Sequence, residues 1–164
     1  MREGAETPVN SNWIDLLRIF NAERVRYLVV GAHALAAHAE PRYTGDFDVW
    51  VEPTRENGVR VWKALAAFGA PMETVRLEDF ARPDTVFQIG VSPNRVDVMT
   101  SISGVRFPTA WKNRFRAKLM GVAVTYVGFR ELVRNKRASG RAKDRIDLEI
   151  LADAARHRAR TRHR

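Results

Sequence analysis

The chain has no cysteine among its 164 residues, which excludes a disulfide scaffold, a thiolate zinc site and a cysteine nucleophile together. Long apolar runs are missing too: none approaches the roughly 20 residues that a membrane-crossing helix requires, so no membrane partner is expected. The opening MREGAETPVNSN lacks the apolar stretch of a secretory signal. A cytoplasmic protein in a reducing compartment is the simplest expectation. Aromatic residues make up only 9% of the chain and are not interleaved with the basic ones along the sequence, as stacking platforms for nucleic acid would be. That disfavours a dedicated nucleic-acid-binding module.

What is present fits a soluble globular domain, 45% hydrophobic and 29% charged. The net charge of +9 is uneven, because Arg156, Arg158, Arg160, Arg162 and Arg164 crowd the last nine residues. The expected organisation is one domain over 1–155 and a basic tail over 156–164. Such a tail can bind phosphate backbones non-specifically or be a frayed, solvated helix end.

The chain is organised around residues 27–51, YLVVGAHALAAHAEPRYTGDFDVWV. β-Formers from Tyr27 to Val30 stop at Gly31, an alanine-rich helix follows, and a loop with Pro41 and Gly45 leads into a strand carrying Asp46 and Asp48. Side chains at i and i+2 of a strand share a face. The two aspartates therefore stand side by side while Phe47, Val49 and Val51 turn to the core. An all-oxygen pair of this kind suits a hard cation, above all Mg²⁺.

Around this centre, Trp13, Leu16, Leu17 and Phe20 predict a helix over 12–22, with Asn10 or Ser11 as its cap. Residues 25–30 read as an interior strand buried on both faces, and 32–39 as a helix through alanine propensity. Pro53 and Thr54 open a helix over 55–68 whose apolar face includes Val61, Trp62 and Leu65. A single helical turn is expected over 77–80. Strands over 85–90 and 95–100, separated by Ser92, Pro93 and Asn94, should form a hairpin. A second hairpin joins 114–119 to 122–127 through Met120-Gly121. Phe129, Leu132, Val133 and Lys136 mark a helix ended by Gly140, and Ile146, Ile150, Leu151 and Ala154 a last one over 142–155. This order argues for an α/β or α+β domain in which helices cover a mixed sheet.

A third carboxylate, Asp97, lies between Val96 and Val98 and so faces away from them. If its strand sits beside Asp46 and Asp48, three acids converge, and their repulsion raises their pKa values unless a divalent ion compensates. With Mg²⁺ they form a site in which metal bridges phosphate oxygens and activates an attacking hydroxyl.

The segment LVVGAHALAAHAEPRYTGDFDVWV, followed by RVDVM, resembles the nucleotidyltransferase fold of the DNA polymerase β superfamily, above all its small bacterial members of the abortive-infection type. The pattern is an apolar strand, two small residues at a helix start (Gly31-Ala32), an Asp-x-Asp pair (Asp46, Asp48) and a later Asp (Asp97). LVRNKRASGRAKDRIDLEIL looks like the closing helices. The resemblance implies a nucleoside triphosphate substrate and an acceptor hydroxyl on protein, RNA or a small molecule. It also implies Mg²⁺ or Mn²⁺ on Asp46 and Asp48, and Asp97 on the catalytic metal activating the acceptor. Gly31 and Ala32 would receive the triphosphate at the helix N-terminus. Ala32 departs from the usual Gly or Ser, so a phosphate-holding hydroxyl is missing while the backbone donors stay accessible. The same fold also serves non-catalytic nucleotide-binding or regulatory proteins, such as toxin–antitoxin components.

Arg42 and Thr44 are candidates for contact with phosphate or base, although Arg42 can equally neutralise the neighbouring acids. Lys136 and Lys143, beside the turn between the closing helices, are candidates for the triphosphate or an RNA acceptor, or else solvated helix-end charges. His33 and His38, five residues apart, do not align as ligands on one helical face and read as packing or surface residues.

Overall fold

The computed structural model describes residues 11–40, 46–91 and 94–163. It contains six helices, α1 Ser11–Ala22, α2 Gly31–His38, α3 Arg55–Phe68, α4 Phe107–Lys112, α5 Phe129–Ser139 and α6 Ala142–Thr161, and a short 3₁₀ turn over Leu77–Ala81. Six strands, β1 Tyr27–Val30, β2 Asp46–Val51, β3 Val86–Ile89, β4 Arg95–Met99, β5 Phe115–Leu119 and β6 Val122–Tyr126, form one mixed sheet in the order β3-β4-β2-β1-β6-β5. β1 runs antiparallel to β2 and parallel to β6, while β2 runs parallel to β4. The expected α/β architecture is thus present, with both hairpins formed. Among the described residues no helix is long and apolar enough to cross a membrane.

Burial explains the central strands. All four residues of β1 are buried, as an interior strand of β-branched and aromatic residues requires. On one face of the sheet α1 packs with α3, and Trp13 stacks on Phe47 at 5.3 Å between ring centroids. On the other face Phe107 of α4 meets Trp50 edge-on at 5.0 Å. Trp50, which shares the face of Asp46 and Asp48, is thereby buried. Asn57 locks the entry to β1: its amide accepts from Arg26 N and donates to the carbonyls of Arg26 and Glu52. In the β5–β6 turn Met120 and Gly121 both take positive φ, 49° and 78°, as a two-residue hairpin of this twist demands.

Three differences from the sequence expectation are larger than a single residue at an element's end. β1 begins at Tyr27 rather than 25, because Val25 N still donates to Phe20 O and closes α1. α4 has no counterpart in the reading above: its six residues are too few to show a helical period, and only Phe107, Ala110 and Trp111 mark its inner face. The last helix does not stop at 155 but continues to Thr161. Arg158 ties this extension down, donating to His38 O at 2.7 Å with its guanidinium 5.2 Å from the centroid of the Phe129 ring.

Candidate active site

Strand register brings the acids together. Val30 pairs with Asp48 across β1–β2, and Asp48 pairs with Asp97 across β2–β4, so both aspartates lie beside the end of β1 where α2 begins. Gly31, at that junction, has φ +67°, and a Cβ there would lie 2.4 Å from Asp48 Oδ2. Only glycine accommodates both the backbone and the carboxylate.

Asp48 and Asp97 stand opposite each other on paired strands and interact electrostatically. Burial, reinforced by the charges of Asp97 and Asp46, pushes Asp48 up to about 6, against the opposing charge of Lys143. Asp97 is also raised, by burial first and by Asp46, although Arg95 and the neighbouring Asp48 carboxyl pull it down. Asp48 therefore keeps its proton to higher pH than an ordinary carboxyl and is ionised above about 6.

Arg95 is a participant that the sequence reading did not single out. It pairs with Asp46 across the strands, and its Nη2 lies 3.0 Å from Asp46 Oδ2 while Nε lies 3.2 Å from Asp97 Oδ1. The second contact is an ion pair without hydrogen-bond alignment, and both of its atoms are buried with no hydrogen-bond partner. The available signal was position: Arg95 precedes Asp97 by two residues and so shares its face.

Across a cleft of about 650 Å³ stands the turn between α5 and α6. Asp46, Asp48, Asp97, Gly31, Lys136 and Lys143 all line this cleft, as does Arg141 at the same turn. Lys136, however, is not poised for a ligand. Its Nζ is buried between Asp144 Oδ1 at 3.2 Å and Asp147 Oδ2 at 2.9 Å. Arg141 Nε donates to Asp144 at 2.9 Å. Burial alone would raise Asp144, but hydrogen bonds from Arg141, Ser139 and Lys136 hold it below the usual carboxylate range. Lys143 remains exposed and acts on Asp48 through its charge.

Ala32 is buried in the first turn of α2, and Arg42 and Thr44 lie outside the described residues. His33 and His38 are packing residues: His33 sits edge-on to Trp13 and Phe47 at 4.7 and 5.0 Å, and burial lowers its pKa to about 4. His38 Nε2 lies 2.7 Å from Val127 O, and burial lowers its pKa as well.

Among the described residues no three acidic or histidine side chains are already disposed as a metal-ligand set, and Arg95 is paired with both Asp46 and Asp97. The donor chemistry nonetheless fits a hard divalent ion. The neighbouring acids supply only oxygen, Asp97 Oδ1 is buried without a hydrogen bond, and the crowding that raises Asp48 is what a cation relieves.

A mixed sheet with a glycine turn and acids on adjacent strands, closed by two helices, is the nucleotidyltransferase fold, and the chain has that fold. Three solved structures carry the comparison, each 13% identical in sequence. The lincosamide antibiotic adenylyltransferase LnuA, bound to lincomycin, superposes with a TM-score of 0.59 over 91% of this chain and 99% of its own. The antibiotic-resistance factor ANT(2'')-Ia gives 0.59 over 93% and 92%. TM1012 from Thermotoga maritima, named as a candidate nucleotidyltransferase, gives 0.56 over 93% and 91%. No protein-family model and no curated protein sequence matches the chain.

Proposed function

We propose that this protein is a nucleotidyltransferase, moving a nucleoside monophosphate from a nucleoside triphosphate to an acceptor hydroxyl. The observation that carries this reading is the single cleft with Asp46, Asp48 and Asp97 on one wall and the cations of the α5–α6 turn on the other. Asp46, Asp48 and Asp97 would hold Mg²⁺ or Mn²⁺. Bound there, the metal supplies charge stabilisation to the phosphates and lowers the pKa of the attacking hydroxyl.

The protein's own groups perform the remaining work. Lys143 and Arg141 attract the triphosphate from the far wall, and the first amides of α2 take a phosphate where the helix dipole favours anions. Lys136 has a different part: clamped by Asp144 and Asp147, it fixes the turn from which Arg141 and Lys143 project. In the reaction, the acceptor oxygen bonds to the α-phosphorus, the bond to the β-phosphate bridging oxygen breaks, and pyrophosphate leaves. The hydroxyl proton passes to Asp97, whose raised pKa suits it to a base's task.

Incubation with each labelled nucleoside triphosphate, Mg²⁺ or Mn²⁺ and a cell extract tests the reading. Label should appear on one class of acceptor, and its recovery on protein, RNA or a small molecule identifies that class. Tight nucleotide binding with no labelled acceptor under any condition would instead establish the regulatory, non-catalytic alternative.

A further inference from the structure

A second concave site lies away from the acids. Gly31, Asp48 and Asp97 gather at the C-terminal end of β1, whereas Arg24 and Arg26 enter at its N-terminal end, a strand length of roughly 10 Å away. There Arg24, Arg26 and Arg116 line a groove of about 280 Å³ with Trp111 as a wall, Val25 and Tyr27 among its apolar lining, and no carboxylate in it. All three arginines are exposed. Arg26 reaches Glu52 at the rim, 3.3 Å away, while the groove lining around Arg24 and Arg116 holds no carboxylate.

Like charges converge here from three unrelated parts of the chain. Arg24 sits in the α1–β1 turn with φ 57°, Arg26 precedes β1, and Arg116 belongs to β5, the edge strand. Lys118, on the same face of β5 as Arg116, pairs with Ala123 of the groove lining and extends the basic track. Charged residues guard exposed sheet edges, which accounts for Arg116 and Lys118 but not for Arg24 and Arg26. The aromatic residue missing from the basic stretches of the sequence is supplied by the fold. The Trp111 ring stacks on Phe107 at 5.7 Å between centroids, and the planar guanidiniums of Arg114 and Arg26 lie over it at 4.3 and 5.4 Å.

We propose that this groove is a docking site for single-stranded nucleic acid, with phosphodiester groups on Arg24 and Arg116 and a base stacked on the guanidiniums of Arg26 and Arg114 that cover Trp111. Separate guanidiniums satisfy separate phosphates, a planar guanidinium layered on an aromatic ring accepts any base, and a groove of this size admits one strand rather than a duplex. The site is independent of nucleotidyl transfer in the cleft.

The test is fluorescence anisotropy with a labelled oligouridylate of about ten nucleotides, within the usual range of single-strand sites. The wild type and Asp97→Asn should bind alike at low salt, and binding should quench tryptophan fluorescence. The double variant Arg24→Gln/Arg116→Gln, exposed at both positions, should bind at least ~tenfold more weakly, and its salt slope should fall by about 1.4 for two lost phosphate contacts. Trp111→Phe should lose the quenching, since Trp13 and Trp50 are buried and Trp62, on α3, is not part of the groove lining. No binding by the wild type, or unaltered binding by the double variant, overturns the proposal. So does a loss that follows Arg160→Gln/Arg162→Gln at the C-terminal end of α6 instead.

Discussion

A methyl group at position 31 would meet Asp48 Oδ2 at 2.4 Å on a backbone already at φ +67°, so Gly31→Ala must either move the carboxylate or unwind the turn. We expect a loss of about 1–3 kcal/mol in denaturant unfolding, with nucleotide affinity falling as well. Arg95 gives the opposite contrast between stability and binding. Its guanidinium supplies the positive charge between Asp46 and Asp97 that a metal would otherwise supply. Arg95→Gln should therefore lower the melting temperature without metal yet tighten Mn²⁺ binding by ~tenfold, on the scale of removing one nearby like charge in a partly buried site. Equal Mn²⁺ affinity by electron paramagnetic resonance would show that Arg95 does not occupy the cation's place. For Asp97→Asn, shape and one oxygen ligand persist, so nucleotide binding should survive while transfer falls at least ~100-fold. Asp48→Asn should impair both.

At the scale of elements, the turn between α5 and α6 is held by a charge cluster. Lys136 is 2% exposed, and Asp144 and Asp147 no more than 1%. Removing the lysine leaves two buried carboxylates with less compensation, so Lys136→Met should cost about 3–5 kcal/mol, whereas Lys143→Met should leave stability unchanged and weaken nucleotide binding. A variant at 136 that melts like the wild type but binds nucleotide poorly would return Lys136 to direct phosphate contact. This cluster also shows where a sequence stops being readable. Asp46 and Asp48 could be assigned to one face because strand parity is local, and β1 was legible as an interior strand from its unbroken apolar run. The partners of Lys136 lie eight and eleven residues away across Gly140, a geometry no periodicity carries. Its place on the helix's apolar side was visible, but that it spends its charge inward was not. Arg95 was hidden for a related reason, since an arginine near acids has the same sequence signature whether it bridges them or points to solvent. The groove around Trp111 depends on α4, too short to announce itself, and on strands from opposite ends of the chain.

Across the whole molecule, two buried groups oppose each other in one pH range, and their signs can be separated. Asp48, raised from 3.8 to about 6 in the fold, binds more protons folded than unfolded between those values, so its contribution to stability is lost as pH rises through that window. His33, lowered from 6.5 to about 4, binds fewer protons folded than unfolded between its two values, so its contribution grows as pH rises through nearly the same window. Asp144 acts only below the ordinary carboxylate pKa, where protonation removes its stabilising bonds. Shifts of about two units correspond to roughly 3 kcal/mol each, so the wild type should change little in stability from these two sites between pH 4 and pH 6.5. Asp48→Asn removes only the falling component. Its stability relative to the wild type should rise with pH by up to ~3 kcal/mol and then level off above about pH 6, where Asp48 is ionised. Mg²⁺ at 100 times its dissociation constant stabilises a native state by about 2.7 kcal/mol, and it should do so for the wild type far more than for Asp48→Asn, narrowing the gap at pH 7.5. Urea titrations at pH 4.5 and 7.5, with and without Mg²⁺, measure all of these terms. A gap between variant and wild type that is constant with pH would mean that the Asp48 carboxyl is not crowded, and a gap that Mg²⁺ leaves unchanged would mean that the ion does not bind at Asp48.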